Sequence, residues 1–427
     1  MASMPDNIGL SPKAPVRRLR AWRFIVGQML LTGLNALTGF VLVRSLGKAD
    51  YAAYSLTFSL LAIAVNASNM GLTSAALGLG GRVWPDGVAL RAVLNSAQRL
   101  RNSVGGWLAL PFAAYCLWQF PQIGTTWSEA LALASLVLAA AWVQMQANFY
   151  AIVLQLGHST AALLRNDLGS AMLKLVGAAL IAWTGGPVWA VVGWIVLCLV
   201  VNYRAHVRAT RPLLAHHRHT DETYLRDMRH MVRTNALRTL YWSFEGQIAI
   251  LLCAWFASTE RVADIGALGR LGVLFSIFQA FVASYTLPEL AKARTPQHVL
   301  QQAFRTLGAA ILLTLPILFW AAMHPPSLLW ILGPNYAELT EYLLPFLLAG
   351  ATGQLAAVVY QVCTARAWVA LNRYYVALAL PFQALLLYTL DLRQIENVIL
   401  FSWLNNLFFL LFNIAMFVFS WRREAWP

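Results

Sequence analysis

The sequence predicts an all-α, polytopic membrane protein in which twelve helices cross the bilayer. Its 427 residues are 59% hydrophobic and 11% charged, whereas a soluble protein carries about 25% charged residues. Apolar runs of about 20 residues, the length that spans a bilayer, recur from one end of the chain to the other. Lys and Arg concentrate in alternate connections between these runs, which is the positive-inside pattern of membrane proteins. No stretch is left over for a sizeable soluble domain.

The predicted spans fall into two groups of six. The first group comprises residues 24–43, 51–71, 104–120, 127–154, 168–184 and 188–203. The second comprises residues 235–256, 264–287, 304–323, 342–364, 374–390 and 398–421. The predicted domains are therefore a basic N-terminus (1–23), an N-terminal bundle (24–203), a basic linker (204–234), a C-terminal bundle (235–421) and a tail (422–427).

The distribution of Lys and Arg predicts the orientation. With the N-terminus in the cytoplasm, the inner segments hold 24 Lys and Arg residues and the outer loops hold four. We therefore expect both termini and the linker on the cytoplasmic face of the membrane, called the predicted inner side below. The basic N-terminus precedes an apolar run with no small-residue cleavage site after it, so this run is expected to be a retained helix.

Several function classes do not fit this composition. The net charge of +14 could suggest nucleic acid, but the charges alternate between loops and form no binding face. All four cysteines lie inside apolar runs, which argues against a disulfide framework or a cysteine metal site. The run His216-His217-Arg218-His219 has no carboxylate or cysteine at ligand spacing. We expect no nucleic acid, no metal and no cofactor.

Three groups of motifs carry a resemblance. They are RSLGKADY (44–51) with YSL (54–56) and MGL (70–72), then ADIGALGRL (263–271) with PEL (288–290), then WILGPNYA (330–337) with LLPF (343–346). In this order they resemble Wzx-type polysaccharide flippases of the multidrug/oligosaccharidyl-lipid/polysaccharide exporter superfamily. ADYAA (49–53) and ADIGA (263–267) also open the second helix of each half, which suggests an internal repeat.

The resemblance implies a fold and a function. The fold is two six-helix bundles around a central cavity, as in MATE transporters. The function is translocation of undecaprenyl-diphosphate-linked oligosaccharide across the bacterial inner membrane. The expected partners are that substrate, membrane lipids and other polysaccharide-assembly proteins, and the expected state is a monomer.

Charged residues within or beside the spans are candidates for the substrate's anionic diphosphate. Arg270 and Lys174 lie roughly 9 Å deep from opposite surfaces, where a cation is costly unless it faces a cavity or a counter-ion. Snorkelling to the headgroups is the alternative for both. Arg44 lies at the outer mouth, where it could contact substrate or anchor the helix. Glu245, about 15 Å deep, is a candidate coupling site or a counter-ion to Arg270, and the second role is favoured.

Neutral polar side chains on the spans are candidates for hydrogen bonds to sugar hydroxyls. Interhelical hydrogen bonds are the alternative for each of them. Asn405 and Asn406 are read as such packing contacts. Polar residues on the second span, among them Ser55 and Ser59, predict that this helix forms the wall of a wet pathway. The candidates are Gln28, Thr32, Asn35, Asn66, Gln144, Asn148, Gln354 and Gln361.

Two other functions, a multidrug exporter and a polysaccharide polymerase or ligase, fit the sequence less well. A multidrug exporter of the same fold would need acidic residues in its cavity if it moved cations, and the first span has none. A polysaccharide polymerase or ligase is also polytopic, but such an enzyme is expected to carry a large outer loop. The longest predicted outer loop here, 324–341, is short, and no nucleophile–base pair or metal motif is present. The flippase is therefore the favoured interpretation.

Overall fold

A computed structural model describes residues 14–157, 159–214, 220–275, 295–366, 368 and 370–423, and the structural statements below concern these residues. Its regular structure there is entirely helical, as predicted. The first half contains α1 (Ala14–Ser45), α2 (Lys48–Asn69), α3 (Leu72–Val83), α4 (Gly87–Gln122), α5 (Trp127–Leu156), α6 (Thr160–Trp183) and α7 (Val188–Thr210). The second contains α8 (Glu222–Glu245), α9 (Ile248–Phe256), α10 (Thr259–Leu271), α11 (Pro296–Met323), α12 (Pro325–Leu332), α13 (Thr340–Ala365), α14 (Asn372–Thr389) and α15 (Ile395–Arg423). Short 3₁₀ helices follow at Arg211–Leu213 and Pro334–Leu339.

The helices match the predicted spans. Each span overlaps a helix, although residues 276–287 of the eighth lie outside the described part of the chain. By length and composition alone, seven helices of the described part are long and apolar enough to cross a membrane. The protein is thus a multi-pass membrane protein with two helical bundles around a central cavity.

One predicted span is broken. The seventh was expected as a single helix over 235–256, but α8 ends at Glu245 and α9 begins at Ile248. Gly246 still donates to the carbonyl of Trp242 at 3.2 Å, and Gln247 donates to Phe244 at 3.0 Å, so the chain turns without continuing the helix. An interrupted helix leaves backbone polar groups without helical partners, which is tolerated in a membrane only beside protein or a cavity.

The segments on the predicted inner side contain more helix than the sequence predicts. The sequence predicts no helix between the second and third spans. In the structure, Met70 (φ 41°) and Gly71 (φ 82°) end α2 in a left-handed turn, and α3 begins directly after them. The basic linker 204–234 is also largely helical, because α7 extends to Thr210 and α8 starts at Glu222. The histidine run at 216–219 lies outside the described residues.

Two of the hydrophobic cores in the described part of the chain join its two halves. The larger joins both halves and includes Leu42, Tyr51, Leu268, Tyr336 and Leu343, which are all completely buried. It lies where α2 packs along α10, so the ADYAA and ADIGA segments of the two halves meet. The smaller core lies towards the predicted inner side and packs α8 of the linker against α3, α4 and α5. The linker is therefore part of the packed structure.

Candidate functional site

A central cavity of about 540 Å³ lies between the two halves of the chain. Ser55 and Ser59 of α2 line one wall, as the polar pattern on that helix predicts. The opposite walls come from α8, α9, α10, α13 and α15, and the broken segment Gly246–Gln247 is part of them. This placement gives the irregular backbone a polar surrounding at a depth where lipid could not supply one.

Arg270 lines this cavity from the last turn of α10. Its Nε donates to the hydroxyl of Tyr51 at 3.0 Å, and its guanidinium lies 5.2 Å from the centre of the Tyr54 ring. Both tyrosines belong to α2, so the side chain crosses from one half to the other. The negative end of the helix dipole and the ring face both favour a cation here. Gly39 of α1 makes room for it, because a Cβ there would lie 3.0 Å from Arg270 Cδ.

Lys174 lies behind this site and not in the cavity wall. Its ammonium donates to the Oδ1 atom of Asn35, and this bond joins α6 to α1. Asn35 in turn donates to the carbonyl of Leu31 at 2.8 Å. The positive charges of Lys174 and Arg270 repel one another, so Lys174 adds to the positive potential near the cavity.

Glu245 lines the cavity at the C-terminal end of α8. A carboxylate is disfavoured at that end of a helix dipole and needs compensation. Its Oε1 atom accepts hydrogen bonds from the hydroxyls of Tyr241 (3.1 Å) and Tyr375 (2.8 Å) and from the amide of Asn405 (3.1 Å). Gln383 ties the network together by donating to Tyr241 at 2.8 Å and to Asn405 at 2.9 Å. The Oε2 atom is buried and accepts no hydrogen bond within the described structure.

The favoured role of Glu245, a direct counter-ion to Arg270, is not what this structure forms. Both residues line the same cavity, as expected, but no ion pair within 4 Å among the described residues includes either of them. Arg270 is turned towards the tyrosines of α2, and Glu245 is held by donors of α8, α14 and α15. Depth and sign of charge follow from the sequence, but the directions in which these two side chains point do not.

The remaining neutral candidates are dispersed. Asn66 lines a smaller cavity of about 280 Å³ with Arg238, and Trp242 lines both this cavity and the central one. Asn405 and Asn406 line the central cavity and also bond to neighbouring helices, so they take part in packing as well as in the cavity wall. Gln354 is buried, and the following candidates are half-buried outside the wall of the central cavity: Gln28, Thr32, Gln144, Asn148 and Gln361.

Arg44 belongs to a contact region at the predicted outer side, which we call the outer cluster (Arg44, Lys48, Tyr51, Asp264, Trp330, Tyr336 and Glu338). The Arg44 guanidinium lies 4.7 Å from the centre of the Trp330 ring, which fits an anchoring role. Lys48 pairs with Glu338 and, at 3.4 Å, with the buried carboxylate of Asp264. Tyr51 donates to the carbonyl of Gly266 at 3.4 Å and packs edge-on against Tyr336. These contacts close the two halves against each other on that side of the cavity.

Within the described ranges, no group of three or more His, Cys, Asp or Glu side chains could hold a metal ion. The polar groups that line the central cavity are instead the guanidinium of Arg270, the carboxylate of Glu245 and the side chains of serines and asparagines. A further polar pair, His206 and Asp167 at 3.2 Å, joins α6 to α7 outside the cavity.

Comparisons with known proteins bear on the fold. No protein-family profile and no curated protein sequence matches the chain. Among solved structures, the lipid II flippase MurJ in an inward closed conformation is similar with a TM-score of 0.71 and 10% identity, over 93% of this chain and 89% of that one. A MATE transporter in the straight conformation gives 0.61 and 16% identity, over 97% and 96%. A MOP superfamily transporter from Pyrococcus furiosus, whose structure is described as having a binding pocket of reverse polarity, gives 0.64 and 14% identity, over 95% and 94%. At these identities the similarity establishes a shared fold, which is the MATE-like fold that the sequence predicts.

Proposed function

We propose that this protein is a flippase that moves undecaprenyl-diphosphate-linked oligosaccharide from the inner to the outer leaflet of a bacterial inner membrane. The observation that carries the proposal is Arg270, a cation in the cavity wall whose bonded partners are neutral tyrosines of the opposite half. An intramembrane cation without a bonded carboxylate is suited to an anionic ligand. A diphosphate can accept the guanidinium's two-pronged donor geometry.

The rest of the cavity suits the remainder of such a substrate. Ser59 and Asn406 line it with hydroxyl and amide groups that can replace water around a glycan. The polyprenyl chain needs no polar partner and can stay in the surrounding lipid. A site that offers a cation, neutral polar groups and access to lipid fits a lipid-linked glycan better than a free sugar or a free nucleotide.

Translocation would use alternating access between two arrangements of the bundles. The outer cluster joins the halves on the predicted outer side, so its contacts have to separate before a substrate could leave in that direction. The interruption at Gly246–Gln247 supplies backbone that can change its angles without breaking a continuous helix. We propose the predicted domain limits (24–203 and 235–421) as the moving bodies. We also propose that both termini lie in the cytoplasm and that the protein works as a monomer.

A multidrug exporter is the second candidate, because Glu245 supplies a carboxylate to the cavity wall. A lipophilic cation would need that carboxylate accessible and would be repelled by Arg270 and Lys174. The cations of the site therefore favour an anionic substrate. Competition between the two ligand classes distinguishes the candidates.

The test uses the purified full-length protein in liposomes. A fluorescent undecaprenyl-diphosphate oligosaccharide is placed in one leaflet, and its arrival in the other is followed by an impermeant quencher. We expect protein-dependent transfer that a second, unlabelled lipid-linked glycan inhibits and that a lipophilic cation such as ethidium does not. Transfer of ethidium without transfer of the lipid-linked glycan would assign the protein to the exporter class.

A further inference from the structure

A second large cavity lies outside the transport pathway. It has a volume of about 530 Å³, within the range of ligand sites, and is lined by residues of α2, α4, α5 and α8. Apolar side chains such as Leu108, Phe112, Leu138 and Leu240 form most of its wall. No Asp or Glu is among the described residues that line it.

Arg101 gives this cavity one positive charge. The residue is only 3% exposed, and its guanidinium donates to Asn102 at 3.0 Å and to the carbonyls of Ala141 and Trp142 at 3.3 Å. Its Nε atom is buried without a hydrogen-bond partner in the described structure. No carboxylate of the described chain lies within 4 Å of the guanidinium. A buried cation whose hydrogen-bond partners are all neutral is suited to an anionic ligand.

The shape of the cavity separates its charged end from its apolar end. Arg101, Gly105, Leu108, Phe112 and Tyr115 repeat at helical spacing and share one face of α4. From Arg101 to Tyr115 this face runs for about 21 Å, with the charge at the end nearer the predicted inner side. One leaflet contributes about 15 Å of hydrocarbon. The cavity is therefore polar where a headgroup of the inner leaflet would lie and apolar along the length of its chain.

We propose that this cavity binds one anionic glycerophospholipid of the inner leaflet, with its phosphate at Arg101 and an acyl chain along α4. The lipid-linked substrate fits less well, because α2 and α8 separate the cavity from the central one. On these helices, Ala62 and Glu245 face the central cavity, whereas the adjacent Ile63 and Phe244 face this one.

The bound lipid would contact both halves of the chain, since α2, α4 and α5 belong to the first half and α8 to the second. It would consequently stabilise the arrangement in which α8 packs against the first half. A ligand that binds only one arrangement shifts the population towards it. The inference does not rest on the transport function, because it concerns a separate cavity.

The test measures lipid binding to the delipidated full-length protein by native mass spectrometry, with phosphatidylglycerol and phosphatidylcholine as probes. We expect one phosphatidylglycerol per chain at concentrations where phosphatidylcholine is not retained. Arg101→Gln should weaken phosphatidylglycerol binding by about 10- to 100-fold, the value of a charge-assisted hydrogen bond. Gly105→Leu should weaken it without changing the charge, because a Cβ at Gly105 meets open space in the cavity.

Arg99→Gln is the matched control, because Arg99 lies on the same helix with a side chain that is 64% exposed. This variant should bind phosphatidylglycerol as the wild type does. Equal retention of the two lipids, or wild-type binding in either Arg101→Gln or Gly105→Leu, would overturn the proposal. Displacement of the bound phosphatidylglycerol by an equal amount of undecaprenyl phosphate would also overturn it, and would assign the cavity to the substrate's lipid.

Discussion

The Nε atom of Arg270 lies 3.0 Å from the hydroxyl oxygen of Tyr51, so a cation of the second half of the chain is held by a neutral group of the first. A neutral partner orients the guanidinium without cancelling its charge. An anion can therefore bind without first displacing a carboxylate.

Removing the charge should abolish transport. Arg270→Ala deletes the proposed diphosphate ligand, and we expect translocation in the liposome assay to fall to the protein-free rate. Arg270→Lys should retain part of the rate, because the charge survives and the two-pronged geometry does not. Arg393→Ala, on an exposed residue outside the cavity, is the control and should behave as the wild type. Full activity of Arg270→Ala would remove Arg270 from the site.

Displacing Arg270 without changing it should also impair transport. Gly39→Val introduces a Cβ that would lie 3.0 Å from Arg270 Cδ and 3.2 Å from its Nε. We expect a rate about ten-fold lower, since about 1.4 kcal/mol of lost stabilisation is a factor of ten. Gly33→Val changes the same residue type on the same helix where nothing lies within 4 Å. Equal rates for the two variants would argue against a positioned guanidinium.

Glu245 should be the site at which a pH gradient acts. Its Oε2 atom has no donor in the described structure and no cation lies beside it, so a proton is the simplest way to neutralise it. Glu245→Gln keeps an oxygen for Tyr241, Tyr375 and Asn405 while it removes the charge. We expect this variant to bind the substrate and to lose the response to an imposed gradient.

The control for that experiment is Glu341→Gln, on an exposed acid of α13. It should keep the gradient response. If Glu245→Gln also kept it, with only a lower rate, the carboxylate would serve as a fixed charge of the cavity and the coupling ion would act elsewhere.

Weakening the outer cluster should open the cavity on that side. Asp264 is 1% exposed and lies 3.4 Å from Lys48 and 3.5 Å from Arg261, and Asp264→Asn keeps its shape without its charge. We expect faster labelling of a cysteine at Ser55 by an impermeant maleimide added from outside, in a cysteine-free background. Unchanged labelling, with Glu341→Gln as the reference, would show that the apolar contacts alone keep this side closed.

The orientation can be tested on exposed positions. The excess of Lys and Arg predicts that Asp227 of α8 faces the cytoplasm and that Tyr388 of α14 faces outwards. A cysteine at Tyr388, which is 90% exposed, should react with an impermeant reagent in intact cells. A cysteine at Asp227 should react only after the cells are opened, and the reverse pattern would invert the topology.

The helices could be predicted because each depends on local composition. Apolar length located the spans, and the turn between the spans 168–184 and 188–203 lies at Gly185-Gly186-Pro187, where proline does not continue a helix. The break after Glu245 was missed, because the apolar residues on both sides of Glu245-Gly246-Gln247 together give the length of one span. A glycine beside a polar residue in the middle of a span was the available signal. The helix α3 was missed because twelve residues are too few to span a bilayer.

The site could be predicted only in part. Depth identified Arg270 and Glu245 as residues of one cavity, but pairing by sign of charge assigned them to each other. Instead, Arg270 donates to a tyrosine hydroxyl, and one carboxylate oxygen of Glu245 accepts from two hydroxyls and an amide. The motifs that carried the resemblance proved more informative about packing than about chemistry. Lys48, Asp264 and Tyr336 come from the three motifs and meet in the outer cluster. Arg101 is one of the 24 Lys and Arg residues that the sequence assigns to the inner segments. Its burial was not predicted, because a sequence does not show which interfacial arginine is covered by a neighbouring helix.

The packing of α8 has a consequence for how the chain assembles. Leu225, Met228 and Val232 of this helix are buried in the smaller core against the first half, while its last turn serves the cavity wall. The two halves are thus held by a noncovalent joint as well as by the peptide chain. Two polypeptides expressed separately, residues 1–214 and 215–427, should therefore find each other in the membrane and copurify. The covalent connection would then matter for the rate of their encounter, and the buried face of α8 for the lifetime of the pair.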